Sequence, residues 1–344
     1  MTETLLGWYA ENARDLPFRH TRDPYAIWIS EIMAQQTRIA ALLPYYKRFM
    51  ADFPTVQALA AASEDEVLAR WAGLGYYARA RALHKAARQM AQNGVPRNGA
   101  GWKALPGVGD YTASAVASIA LGEKAAAVDG NVLRVFARLT GWDSDIAQTE
   151  SKQAARRWVL ERMDESNGWP GDLTQALMEF GALVCTPESP DCGRCPLHGD
   201  CASRRQGKTG ILPVKGPPKE KRVERRNVLV ILDDEGRVLL RRRTERLLHR
   251  LYEFPAASDI TPLSVMPLGE AAHVFTHIRW EMRGELWRAA NQPAPDGCVW
   301  VSKKEWDQYA VPSAFRVFTE RLMQEQDFLD CALDEILPLG RQDC

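Results

Sequence analysis

Four cysteines fall within seventeen residues, Cys185, Cys192, Cys195 and Cys201 of CTPESPDCGRCPLHGDC. Any fold of this chain must bring that segment to terms with four thiols. The spacing, C-x6-C-x2-C-x5-C, supplies enough thiolates to close a tetrahedral S4 site. Zinc and iron–sulfur centres both accept such a set, so spacing leaves the choice between them open, although two C-x2-C pairs are more usual for zinc. A disulfide framework is not expected. The N-terminal MTETLLGWYAENARDLPF has neither the basic start nor the apolar core of an export signal, which points to the reducing cytoplasm. The other three cysteines, Cys298, Cys331 and Cys344, are scattered and read as free thiols.

At 344 residues the chain has room for two cores, and its 46% hydrophobic and 26% charged composition is that of a folded, non-membrane protein. Net charge is zero, so charge alone does not advertise a polyanionic partner. Up to residue 204 the pattern is nearly all helical. Apolar positions recur every three or four residues in DPYAIWISEIMAQQTRIAALLPYYKRFM and over 64–71, 111–121, 131–139 and 151–163. Pro and Gly signals such as DFP, NGVP and GWPG end the helices. Residues 204–226 carry nine Lys/Arg against two Glu, with Pro and Gly interspersed, and read as a basic linker over 205–224. Beyond it RRNVLVILDDEGRVLLRRR is a hairpin by residue type, and HVFTHIRWEMRGELWRA alternates in the same way. The expected organisation is an all-α domain (1–204), the linker, and a smaller α+β domain (225–344).

Two further motifs carry chemistry. In LPGVGDYTASAV, Gly107, Val108 and Gly109 turn the chain just before a helix starting near Asp110. A Gly-rich turn at a helix N-terminus aims backbone N–H groups at a phosphate without reading sequence. Within about 98–121 this resembles a helix-hairpin-helix, a clamp for DNA backbone. In KAAAVDGNVLRVFARL, Asp129 stands immediately before a helical run, where a carboxylate caps the helix.

The hairpin, the VDGNV aspartate some twenty residues on, and the cysteine cluster together resemble the endonuclease III branch of DNA glycosylases. SEIMAQQTR (30–38), GLGYYARARAL (73–83) and the long C-terminal extension resemble its MutY type, the adenine DNA glycosylases. The resemblance implies a [4Fe–4S] cluster on the four cysteines and excision of adenine from A:8-oxoguanine or A:G mispairs in double-stranded DNA, by a monomer. Cleaving an N-glycosidic bond calls for an acid to help the base leave and a carboxylate to stabilise an oxocarbenium-like sugar. Glu31, flanked by Trp28, Ile29, Ile32 and Met33, stands where desolvation raises a carboxyl pKa. The resemblance makes Glu31 the acid and places Asp129 at the sugar, with Asn131 and Tyr111 in support. It further implies that Gln36 and Tyr76 insert beside the opposing base with Thr37 and Leu74 close by, and that Arg14, Arg19, Trp28 and Gln175 form the adenine pocket.

Tyr111 discriminates between branches of the superfamily. Bifunctional lyases carry a lysine at this point of the hairpin, whose amine forms a Schiff base with the sugar. A phenol cannot, so base removal by water and an abasic product are expected. In the C-terminal domain LYEFPAAS resembles the Nudix fold, but the Glu-rich signature R-E-x2-E-E-x-G is absent from 250–344. That leaves recognition. Phe275, Thr276 and His277 match the Phe-Ser-His loop with which the family reads 8-oxoguanine, threonine replacing serine. Three other readings compete: an endonuclease III-like glycosylase/lyase for oxidised pyrimidines, disfavoured by Tyr111 and the C-terminal extension; a non-catalytic iron–sulfur DNA-binding protein, disfavoured by Glu31 with Asp129; and a Nudix hydrolase, disfavoured by the missing signature.

Overall fold

A computed structural model describes residues 1–217 and 220–325. Cys331 and Cys344, read above as free thiols, lie outside the described residues. The helices follow the apolar periodicity: α1 (Thr2–Asn12), α2 (Pro24–Ala34), α3 (Ile39–Asp52), α4 (Val56–Ala61), α5 (Glu64–Trp71), α6 (Ala78–Asn93) and α7 (Gly99–Lys103). They continue with α8 (Asp110–Ile119), α9 (Gly130–Thr140), α10 (Thr149–Glu165), α11 (Pro170–Leu183) and α12 (Ala202–Arg205). No helix among the described residues is long and apolar enough to cross a membrane.

Local signals set the ends. Asp23 caps α2 by accepting from the Tyr25 and Ala26 amides, with Pro24 at the first helical position. Ser63 and Glu66 close a capping box on α5. The long periodic run over 23–50, however, is two helices. The chain breaks at Gln36, whose φ of 58° is left-handed, a conformation no helix propagates.

Contacts divide the chain into two compact units, Met1–Ala61 with Ala82–Pro218, and Ala62–Arg81 with Lys219–Cys344. Residues 62–81, read from sequence as part of the helical domain, therefore cluster with the C-terminal residues. Ion pairs between Arg242 and Asp65 (3.0 Å) and between Arg250 and Glu64 (3.2 Å) hold them there.

In the first unit, α9 and α11 pack around Val132, Val135, Leu177 and Phe180. Gly181 permits their closest approach, since a Cβ there would lie 2.6 Å from the Asn131 Cβ. In the second, β1 (Arg222–Leu232), β2 (Val238–Arg242), β3 (Tyr252–Glu253), β4 (Ser264–Val274), β5 (Ile278–Arg288) and β6 (Cys298–Val301) form one sheet of order β3-β2-β1-β5-β4, with β6 on β2. The expected hairpin is β1–β2, with Leu232 opposite Val238. The β1–β5 pairing is parallel over eleven residues, which hairpin reasoning did not foresee. Val228, Val230 and Leu232 face one core with Phe315 and Phe318, the latter on α13 (Arg316–Leu322). Leu229 and Ile231 face another with Ile260, the period-two alternation of a sheet covered on both sides.

Candidate active site

The first unit holds a cavity of about 1080 Å³ lined by Glu31, Tyr111, Asp129, Asn131, Arg19 and Gln175 among others. α2 is buried along most of its length, with Trp28 and Ile29 wholly inaccessible, and Glu31 projects from this apolar helix into the cavity. Burial pushes its pKa up to about 7, and the nearby Asp129 charge adds to the rise. The Tyr111 hydroxyl donates to Glu31 Oε2 at 2.6 Å and acts the other way. At neutral pH Glu31 is thus shared between its acid and carboxylate forms.

Asp129 is both a cap and a cavity group. Its Oδ1 accepts the Val132 amide of α9 at 2.7 Å, while Oδ2 accepts Asn131 Nδ2 at 2.8 Å. Burial raises its pKa against these bonds, so the cap alone does not fix its charge. Arg134, buried on α9, orients the pair: its Nη2 donates to Asn131 Oδ1 and the Gly181 carbonyl, both at 2.7 Å, and its Nε donates to the Cys185 carbonyl at 2.6 Å.

Glu179 on α11 is 1% exposed. Burial would raise its pKa, but bonds from Arg14 (2.6 and 2.7 Å) and Arg19 hold it down at about 2. It fixes both arginines on the cavity wall. Gln175, one turn earlier, accepts from the Tyr9 hydroxyl at 3.3 Å. Trp28 is placed elsewhere. Its indole packs in the core against Tyr25 and Trp102 and does not line the cavity.

The hairpin turns as its glycines require. Gly107 has φ of 75° and approaches Ala82 so closely that a Cβ would clash at 2.5 Å, and Gly109 is the N-cap of α8. Gly107 and Gly109 reach the cavity wall, as do Gln36 and Thr37, whereas Val108 is buried at 7% exposure. Below α9, Cys185, Cys192, Cys195 and Cys201 are unpaired with one another by disulfide. Cys195 feels the charges of the other three, and Arg138 donates to Cys185 Sγ at 3.5 Å and to the Thr186 and Pro187 carbonyls. Among the described residues no three His, Cys, Asp or Glu side chains converge as the ligands of one metal ion.

A second cavity, about 530 Å³, lies within the second unit and is lined by Leu74, Tyr76, Thr276, His277, Arg246 and Leu248 among others. Tyr76 is exposed with left-handed φ of 50°, the Arg79 guanidinium 5.0 Å from its ring centre. Phe275 turns the β4–β5 hairpin, its amide donating to the Ile278 carbonyl at 2.8 Å, and its ring packs on Trp280 and His273. Thr276 and His277 stand exposed beside it.

Family models match over 29–161, as an HhH-GPD superfamily base excision DNA repair protein, and over 227–321, as a NUDIX domain. The adenine DNA glycosylase of Rattus norvegicus is 33% identical over 401 aligned residues, spanning 92% of this chain and 77% of the relative. The chain belongs to the adenine DNA glycosylases. The Homo sapiens adenine DNA glycosylase is 32% identical, over 92% of this chain and 73% of its own length. Among solved structures, a thermostable thymine-DNA glycosylase superposes with a TM-score of 0.53 at 31% identity, covering 60% of this chain and 95% of that one. In this adenine DNA glycosylase, sequence reading missed Arg134 and Glu179. Arg134 sits one turn beyond Gly130 on a helix whose start was legible, but beside its local bond to Asn131 it depends on the Gly181 and Cys185 carbonyls, about fifty residues away. Glu179 had one local hint, its i,i+4 relation to Gln175 on the same helical face.

Proposed function

We propose that this glycosylase hydrolyses the N-glycosidic bond of adenine opposite 8-oxoguanine or guanine in duplex DNA, leaving an abasic site. The observation that carries the reading is one cavity holding Glu31, poised near pH 7 and bonded to Tyr111, together with Asp129 and Asn131. Two carboxylates in different settings are the equipment that glycosidic cleavage requires. Extruding adenine costs a few kcal/mol of stacking. Glu31, when protonated, delivers its proton to N7, and Tyr111 holds the carboxyl in line. Electron density then leaves with the base, and the charge of Asp129 stabilises the sugar cation until water adds at C1′. Arg14 and Arg19, fixed by Glu179, serve with Gln175 as the polar wall around the base. No lysine replaces Tyr111, and a phenol forms no imine with the sugar, so base removal leaves an abasic site with weak strand cleavage at most.

Gln36 and Tyr76 fit the part of inserting residues. Both are non-glycine residues held at positive φ, a conformation costing about 1–3 kcal/mol that clusters at ligand contacts. Thr276 and His277, with Leu74 and Tyr76 on the same cavity, are the candidates for reading the opposite base; Phe275, packed on Trp280, supports them. The four cysteines suit a [4Fe–4S] cluster. Cys185, Cys192 and Cys201 lie near enough for their charges to act on Cys195, and a cubane takes four such thiolates, each on a different iron. Bound there, the cluster would cross-link residues 185–201 into one loop. We place the enzyme in the cytoplasm as a monomer. The test is single-turnover excision from an A:8-oxoguanine duplex, scored by alkali cleavage of the abasic product. Glu31→Gln should lower the rate by roughly 10²–10⁴-fold with duplex binding retained; a rate near wild type would remove Glu31 as the acid.

A further inference from the structure

The segment linking β2 to β3 forms one wall of the second cavity through Arg246, Leu247 and Leu248. It is a strained turn, with Leu248 and Arg250 at φ of 59° and 63°. Left-handed non-glycine residues persist only where their surroundings over-determine them, and here the surroundings are specific. Arg243, 3% exposed, donates from Nε to the Leu247 carbonyl at 3.0 Å. Its backbone closes the turn at both ends, the Arg243 amide to the Leu251 carbonyl and the Arg250 amide to the Arg243 carbonyl, each at 2.8 Å. The guanidinium is itself pinned by Glu253, which has no exposure and sits on β3. Arg226 (3.3 Å) and Arg241 also donate to Glu253, Arg241 standing opposite it in the strand register. On the far side, Arg226 and Arg243 lie 4.1 and 5.4 Å from the Trp280 ring centre, and Trp280 backs Phe275 at 4.8 Å.

We propose that Glu253 is a positioning residue for reading the base opposite the excised adenine, acting through Arg243 on the wall Arg246–Leu248 and through Trp280 on the loop Phe275–His277. The proposal rests on the reading of this cavity given above. Glu253 touches no DNA. Its carboxylate gathers three guanidiniums, and their fixed geometry passes to two walls, which the Arg81 bond to the His249 carbonyl and the Lys221 bond to the Phe275 carbonyl tie down at their outer edges. Arginine is required at 243 because one donor must face Glu253 while another faces Leu247, a fork that lysine's point charge does not supply.

The experiment compares binding and single-turnover excision on A:8-oxoguanine and A:G duplexes for wild type, Glu253→Gln, Arg243→Lys and the core variant Leu240→Ala, with melting temperature for each. Arg243→Lys keeps a cation beside Glu253 and so keeps the fold while losing the clamp. It should lower the wild-type preference for the A:8-oxoguanine duplex by about tenfold through binding, with excision at saturating enzyme on A:G within twofold of wild type. Glu253→Gln should do the same, and where it does not fold Arg243→Lys decides alone. Leu240→Ala should lose stability and keep the preference. A preference retained in Arg243→Lys, or lost equally in Leu240→Ala, overturns the proposal. A wild-type enzyme without preference would instead overturn the reading of the cavity itself.

Discussion

Replacing Tyr111 by phenylalanine should move the alkaline limb of the pH–rate profile upward, even though it damages the site. Glu31 titrates near 7 because burial overcomes the hydrogen bond that favours its charged form. That bond, 2.6 Å from the Tyr111 hydroxyl, is of the kind worth about 1.5–3 kcal/mol when one partner is charged. At 1.36 kcal/mol per pH unit, losing it should raise the Glu31 pKa by about one unit or more. Above the pKa, the wild-type rate should fall about tenfold per pH unit as the acid form disappears. In Tyr111→Phe the fall should begin near pH 8 or above, so the ratio of variant to wild type climbs with pH whatever the loss at the optimum. The assay is single-turnover adenine release at saturating enzyme between pH 5.5 and 9, with Glu31→Gln as the control that lacks the limb. A limb that stays near 7 or moves down in folded Tyr111→Phe would refute the reasoning. Stability supplies a second check. A carboxyl whose folded pKa exceeds its ordinary 4.5 makes the folded chain the better proton binder. The resulting stabilisation is complete below pH 4.5 and is lost as pH rises through about 7, amounting to roughly 3 kcal/mol at most. Wild type should therefore lose stability against Glu31→Gln between pH 5 and 8.

Asp129→Asn should keep the melting temperature, since asparagine caps about as well as aspartate, while glycosylase activity collapses for want of a charge at the sugar; survival of both would reduce Asp129 to a cap. Purified protein should be yellow-brown with iron and sulfide bound, and colourless protein with stoichiometric zinc would overturn the cluster assignment. Gly181→Ala, with its Cβ 2.6 Å from that of Asn131, should cost about 1–3 kcal/mol by overpacking and slow excision beyond what the lowered melting temperature explains, read from the rate at a temperature where the variant is folded. Thr276→Ala with His277→Ala should narrow the preference between A:8-oxoguanine and A:G by one to two orders of magnitude, at about 0.5–1.5 kcal/mol per lost hydrogen bond; an unchanged ratio would move lesion reading to Gln36, Thr37, Leu74 and Tyr76.

What could be read from sequence was what neighbouring residues decide. The start of α8 after Gly109, the Asp129 cap and the β1–β2 hairpin all follow from signals within a few positions. The raised pKa of Glu31 was legible too, because four apolar neighbours on one helix imply desolvation wherever the helix goes. Trp28 differs: three residues from Glu31 it is a neighbour on the helix surface, and only its packing against Trp102 shows that the indole turns into the core. The break at Gln36 carries no Pro or Gly, so periodicity ran through it. Glu179 and Arg134 depend on partners up to 165 and 51 positions away, and no local pattern reports such pairs.

Because residues 62–81 cluster with the C-terminal unit, the chain leaves the first unit and returns to it before leaving again. The second unit is thus discontinuous, and no single cut yields two self-sufficient pieces. Removing everything beyond residue 218 would take away the sheet and leave Asp65 and Glu64 without Arg242 and Arg250. Truncation there should be felt at Tyr76, inside the fragment that keeps Glu31 and Asp129. Deletion of the Nudix-like half is therefore not a clean subtraction of recognition from chemistry.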